Sequence, residues 1–168
     1  MHIRPAEEQD LDAVAALAVE TFVEAFGATL QATDLEAHLA GPLGRSEMAR
    51  AMREDAFLLA EVEGHLAGFA QFGAAHGRAG GDQALRRLYV RAGLQDRGIG
   101  GALLRAALAS PAMRRARRIW LDVWEHNHGA RRLYERHGFE VVDRFRLNLA
   151  SGPADSLELV MLRRQRAP

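Results

Sequence analysis

The chain has 168 residues, 26% of them charged and 48% hydrophobic, with 22 basic and 22 acidic side chains in balance. That size and composition fit one globular domain over residues 1–168, and the neutral total gives no bulk attraction to nucleic acid or to an acidic membrane. Absence of Cys excludes disulfides and thiolate chemistry, and absence of Lys, since all 22 basic residues are Arg, excludes a Schiff-base lysine and a P-loop lysine.

In chain order, HIRPA is an expected opening strand. AEEQDLDAVAALAVETFVEAF then spaces Leu11, Val14, Leu17, Ala18, Phe22 and Phe26 at helical intervals behind an acidic first turn, and Gly27 ends the helix. Two shorter helices are expected from Thr33 to about Glu54, broken at Gly41 to Gly44, with Ser46 as N-cap of the second. FLLAEVEGHLAGFAQFG has the pattern of a hairpin turning at Glu63-Gly64-His65, followed by the glycine-rich loop GAAHGRAGGDQ.

The second half alternates. Ala84 to Val90 is an expected strand, Ile99 to Ser110 a helix, Arg117 to Trp124 a strand, and Gly129 to His137 a helix stopped by Gly138. FEVVDRFRLNLA and a strand from Asp155 follow, joined by the turn SGPA. This order predicts an α/β (α+β) domain with a mixed, mostly antiparallel, twisted sheet of six to seven strands flanked by helices. No run of ~18 apolar residues is present, and the acidic N-terminus lacks the features of a signal peptide, so a cytoplasmic protein without membrane contact is expected.

QDRGIGG, Gln95 to Gly101, sits between a strand and a helix. A dinucleotide fingerprint would need glycine where Leu103 stands, and a Walker motif would need Lys. Two readings remain open from the residues alone: a helix N-terminus whose free N–H groups hold a phosphate, or a tight turn that needs glycine for positive φ.

LRRLYVRAGLQDRGIGGALLRAAL resembles the acetyl-CoA-binding signature of the Gcn5-related N-acetyltransferase (GNAT) family, with its Q/R-x-x-G-x-G/A core at Gln95, Asp96, Arg97, Gly98, Ile99 and Gly100. IWLDVWEHNHGARRLYERHGFEVV resembles the second signature of that family through Asn127, Ala130, Tyr134 and Gly138-Phe139. By element order the likeness spans about Arg4 to Arg163, and its motifs lie within Leu85 to Val142. TFVEAFGATLQATDLEAHLAG is more loosely similar to the branch of bacterial polyamine acetyltransferases, in which two short helices cover the acceptor site.

The resemblance implies a GNAT fold in which two strands splay apart and the pantetheine of acetyl-CoA fills the gap. It implies that the backbone from Gln95 to Gly101 holds the pyrophosphate with Arg97 beside it, and that the backbone of Leu88, Tyr89 and Val90 meets the pantetheine. The Val90 N–H would then be an oxyanion donor. Asn127 is a candidate N-cap and, by resemblance, a pantetheine ligand; Ala130 leaves room for the cofactor, and Arg136 or the run Arg114 to Arg118 could meet an outer phosphate.

Tyr134 lies one helical turn from Ala130 on the same face, and a phenol of pKa ~10 can protonate a thiolate of pKa ~8–9 as a general acid. No carboxylate stands at Ala84, Arg86 or Arg87, where many relatives carry a catalytic glutamate, so the base is expected to act through water. Groups that could end such a chain are Glu125, His126 and His128, or Glu20 and Glu24, and none is assigned. The three histidines lack metal-ligand spacing, and the arginine run lacks interleaved aromatics, so neither a metal nor nucleic acid is expected.

The expected activity is transfer of acetyl from acetyl-CoA to the primary amine of a small molecule, a polyamine among the candidates. A protein or peptide acceptor and a non-catalytic acyl-CoA sensor are the alternatives. Apolar strands near the C-terminus make a homodimer an expectation as well.

Overall fold

A computed structural model of the protein describes residues 1–27, 31–77, 82–146 and 157–165. Strand β1 (His2–Pro5) lies antiparallel to β2 (Ala56–Val62) and is pinned by Arg4, whose guanidinium reaches Asp10 at 2.7 Å and Glu61 at 2.8 Å. Helix α1 (Leu11–Phe26) buries Val14, Leu17, Ala18 and Phe22, as its apolar spacing predicts. Helices α2 (Ala32–Ala40) and α3 (Arg45–Glu54) follow, parted at the expected glycines.

Gly44, and not Ser46, caps α3. The loop already fixes that start, because the Gly44 N–H donates to Gly41 O and the Gly44 carbonyl accepts from Met48 N, each at 2.9 Å. Ser46 falls within the first turn. Between β2 and β3 (His65–Ala74), Glu63 at φ 53° and Gly64 at φ 79° form the two-residue left-handed turn that matches strand twist.

Strand β4 (Gln83–Val90), helix α4 (Ile99–Ala109), strand β5 (Arg118–Trp124), helix α6 (His128–Arg136), and strands β6 (Glu140–Arg146) and β7 (Leu157–Arg164) complete the order. A short helix α5 (Pro111–Arg115) was not anticipated, although Ser110, which accepts from Met113 N at 3.4 Å, and Pro111 at the first helical position mark its start. The glycine-rich loop is shorter than expected because β3 runs to Ala74, and its residues 78–81 lie outside the described residues. The turn SGPA and the predicted start at Asp155 lie outside them too.

The sheet order is β1-β2-β3-β4-β5-β7-β6, with β4 and β5 the parallel pair and the other neighbours antiparallel. One face packs against α4 and α6, joining Ile99, Leu103, Leu104 and Ala107 to Ile119, Leu121, Val123, Tyr134 and Met161. The other carries α1 to α3, with Val14, Leu17, Leu43 and Met48 against Phe57, Leu59 and Phe69.

Strands β4 and β5 pair only at Gln83↔Ile119 and Ala84↔Trp120 and then separate. The cause is visible one strand away: Gln71 faces Arg87 but Phe72 faces Leu85, so Arg86 is an extra residue in β4. Such a bulge bends its strand and increases the local twist, which turns the rest of β4 away from β5.

Candidate active site

The gap between β4 and β5 is walled by backbone whose direction the ladder determines. Arg91 N donates to Ala67 O at 3.0 Å, so Arg91 faces β3, and by the period of two so does Tyr89, opposite Phe69. The N–H and C=O groups of Leu88 and Val90 therefore turn toward the gap. Of the three strand residues expected to bind cofactor by backbone, Tyr89 has its backbone committed to the sheet. The Gln95 side chain also reaches this edge, donating to Val90 O at 3.2 Å.

Beyond β4, Ala92–Leu94 form a 3-10 turn. Exposed Gln95, Asp96 and Arg97 lead into Gly98, the N-cap of α4, whose φ of 80° is left-handed; Asp96 is at φ 59°. No side chain caps this helix, so the N–H groups of Ile99, Gly100 and Gly101 have no carbonyl partner within it. Gly98 is thus required by its backbone. Gly100 is not, since a Cβ there would sit 3.6 Å from Leu133 and 3.8 Å from Val90, both ordinary contacts.

Helix α6 brings the second motif to the same place. Asn127 caps it, its Oδ1 accepting from Ala130 N at 3.1 Å. Ala130 and Leu133 pack beside the α4 core, and exposed Arg136 lies one turn past Leu133, the residue facing Gly100 and Gly101. Tyr134 is 6% exposed, with its ring edge-on to Phe139 at 5.9 Å. Burial, with a smaller contribution from Tyr89, pushes its phenol above the usual tyrosine range, so it stays protonated through neutral pH.

The expected place for a catalytic glutamate is occupied by a structural network. Asp55 accepts from Gln71 Nε2 and from Arg86 Nε, each at 2.7 Å, while Arg87 donates to Gln71 Oε1 and, at 3.0 Å, to Pro42 O. Glu20 is tied to Arg91, and Glu24 is exposed. Glu125 accepts from Leu157 N at 3.1 Å, His126 stacks edge-on to Trp124, and His128 is exposed at the start of α6. Arg114 and Arg115 are exposed on α5, whereas Arg118 is held by Asp82. Among the described residues no group of three or more His, Cys, Asp or Glu could hold a metal, and no helix is long and apolar enough to cross a membrane.

Sequence inspection passed over Glu158 on β7. Burial first, and the charge of Asp122 second, push its carboxyl up to about 7. The available signal was an acid inside LELVML, in the alternating row that also holds Val160 and Leu162.

A mixed sheet whose one parallel pair opens over an uncapped, glycine-started helix has the architecture of an acetyl-CoA-dependent acyltransferase. Residues 12–139 match the acetyltransferase (GNAT) family, and the chain belongs to that family. It is accordingly an N-acetyltransferase with acetyl-CoA as co-substrate.

Among relatives, an uncharacterized N-acetyltransferase of Mycobacterium tuberculosis is 29% identical over 134 residues, 79% of this chain and 84% of that protein. One from Lactobacillus delbrueckii subsp. lactis is 26% identical over 137 residues, covering 78% and 79%. The PaiA N-acetyltransferase of Thermoplasma acidophilum, solved in complex with coenzyme A, has a TM-score of 0.79 at 18% identity and 98% coverage of both chains. The ribosomal-protein-S18-alanine N-acetyltransferase of Escherichia coli has a TM-score of 0.71 at 21% identity, covering 99% of this chain and 96% of that one. At these identities the structural likeness shows the fold.

Proposed function

We propose that the protein acetylates the primary amine of a small molecule by direct attack in a ternary complex. The observation that carries this is the opening of β4 from β5, with the backbone of Val90 on one side, the protonated phenol of Tyr134 on the α6 side and the uncapped N-terminus of α4 at the mouth.

When bound, acetyl-CoA supplies an activated thioester acyl group. The N–H groups from about Gln95 to Gly101 would hold its pyrophosphate, the helix dipole adding ~0.3–1 kcal/mol, with Arg97 and Arg136 as cationic partners. Leu88 and Val90 would pair with pantetheine amides as an absent strand would, and Asn127 and Ala130 would line the other wall. The Val90 N–H would donate to the acyl oxygen. Tyr134 would give its proton to sulfur as the thiolate leaves, a step that its raised pKa makes uphill even onto a full thiolate.

A small acceptor is favoured by the cover over the opposite face. His38 of α2 stacks on Phe22 of α1 at 4.1 Å, Leu43 is buried, and Arg87 ties Pro42 to β4. Such a fastened cover suits a pocket better than a groove for a polypeptide. A polyamine is one amine to try, although Glu20, already paired with Arg91, contributes less acidity than its sequence position implied.

The names of fold neighbours range from ribosomal-protein-alanine to phosphinothricin acetyltransferases, so they do not choose the acceptor. The test is release of free CoA across polyamines, amino acids, aminoglycosides and peptides. Turnover with a small amine is expected. Turnover on peptides alone would replace the acceptor class, and tight acetyl-CoA binding without turnover would make the protein a sensor.

A further inference from the structure

Glu158 is an acid whose position packing does not explain. On β7, Leu159 and Met161 face the α4–α6 core, while Glu158 shares the opposite face with Val160 and Leu162, both buried. It is half-buried itself, and no described residue forms an ion pair or hydrogen bond with its carboxylate.

The register places it at the open end of the gap, opposite Trp124 of β5 and Phe145 of β6, with Asp122 two residues along the same face of β5. Its charge also raises the phenol of Tyr89, so the carboxylate lies within electrostatic reach of the strand that carries Val90. Tyr89 in turn acts on Tyr134. By register, Glu158 stands at the end where β4 and β5 have parted.

We infer that Glu158 is the general base of the acetyl transfer, acting on the acceptor ammonium from the sheet face opposite α4 and α6. This rests on the acetyl-transfer chemistry proposed above. The Glu158 carboxylate takes one proton from R–NH3+, leaving a neutral amine. The nitrogen lone pair forms the new C–N bond as the C–S bond breaks, and Tyr134 gives its proton to the departing sulfur. A second proton leaves nitrogen to restore the phenol, and Glu158 releases its own to water, so each turnover yields the amide, the thiol and a single proton.

Burial and the neighbouring Asp122 hold the carboxyl near neutrality, where a general base is most effective. The titratable groups on that face are Asp122 from β5 and Asp143, beside the uncharged Phe145, from β6, while Tyr89 of β4 feels the Glu158 charge, with Arg87 bearing on Tyr89. Water need not relay the proton to a more distant group, and the acid missing from β4 is supplied from β7.

The experiment pairs kinetics with a direct titration. In wild type, kcat/KM for amine-dependent CoA release should rise with pH through a midpoint near 7. Glu158→Gln should lose that limb and lower kcat by ~10²–10⁴-fold, with acetyl-CoA affinity within about twofold. Glu158→Asp should keep the limb at partial activity. Independently of turnover, 13C-carboxyl NMR of Glu-labelled protein should show a resonance titrating near 7 that Glu158→Gln removes.

Full activity or an intact acidic limb in Glu158→Gln would overturn the role, as would a Glu158 resonance titrating in the ordinary carboxylate range. A wild type that releases CoA with no amine would instead remove the acetyl-transfer chemistry and the base with it, whereas undiminished amine-dependent turnover in Glu158→Gln would remove the base alone.

Discussion

The indole of Trp120 donates its Nε1–H to the carboxylate of Asp82 at 3.0 Å, and Arg118 reaches the same carboxylate at 3.0 Å. Asp82 directly precedes Gln83 and is 3% exposed, so this cluster sits at the closed apex of the gap, beside the pair Gln83↔Ile119. The clamp holds β4 to β5 at one end while the Arg86 bulge parts them at the other. Asp82→Ala should cost ~1–3 kcal/mol, chiefly by leaving the indole N–H unpaired, since Arg118 can turn to solvent. Urea unfolding measures this; an unshifted midpoint would mean the apex is held by packing alone.

Two glycines should respond oppositely to the same change. In Gly73→Ala, a Cβ would lie 2.0 Å from Asp55 Oδ1, and that carboxylate cannot withdraw because Gln71 and Arg86 hold it. A loss of ~1–3 kcal/mol is expected in thermal or urea unfolding. Gly100→Ala meets only ordinary contacts and should leave stability within ~0.5 kcal/mol. If Gly100 gives room to the pyrophosphate, calorimetry should nevertheless show acetyl-CoA binding weakened at least ~10-fold, a difference of about 1.4 kcal/mol. Unchanged affinity would free that position from the proposed site.

Tyr134→Phe removes a proton donor and keeps the ring against Phe139. Turnover should fall by ~10²-fold or more while acetyl-CoA affinity stays the same. Equal loss of binding and turnover would instead point to a packing role for this buried residue.

Asn127 has one role fixed by geometry, the cap on Ala130 N. Asn127→Ala should cost ~1 kcal/mol of stability, and Asn127→Asp, which keeps an accepting oxygen, should restore most of it. A rise in the acetyl-CoA Kd in both variants would separate a contact made through the side-chain amide N–H from the capping bond.

Glu158 makes stability depend on pH in a defined sense. Its carboxyl is raised from the usual 4.5 to about 7, so between those values the folded protein holds a proton that the unfolded chain has lost. Stability from this group is present in full below about 4.5 and declines as pH rises toward 7. The Tm of Glu158→Gln should therefore gain on wild type across that window and hold its advantage above it. A constant difference at all pH values would mean that the carboxyl titrates alike in both states.

The order of strands and helices was legible because each signal is local: apolar spacing in α1, the Glu63-Gly64 turn, Asn127 and Gly138 at the ends of α6. The cap of α3 and helix α5 were read less well, since a glycine loop and a single Ser-Pro pair compete with stronger neighbouring patterns. Motif residues around Gln95–Gly101 and Asn127–Tyr134 were marked by their resemblance to the two family signatures, each of which lies within a single turn and helix.

By itself, then, the sequence determined the elements, the glycine turn at the mouth of α4 and the tyrosine on the face of α6, all features set by neighbours a few residues away. Only the tertiary structure decided that β7 inserts between β5 and β6, that Leu88 and Val90 rather than Tyr89 turn their backbone to the gap, and that Glu158 stands at its open end. Strand order, bulge position and the desolvation that moves a carboxyl pKa all depend on partners distant in the chain, and no local pattern of residues encodes them.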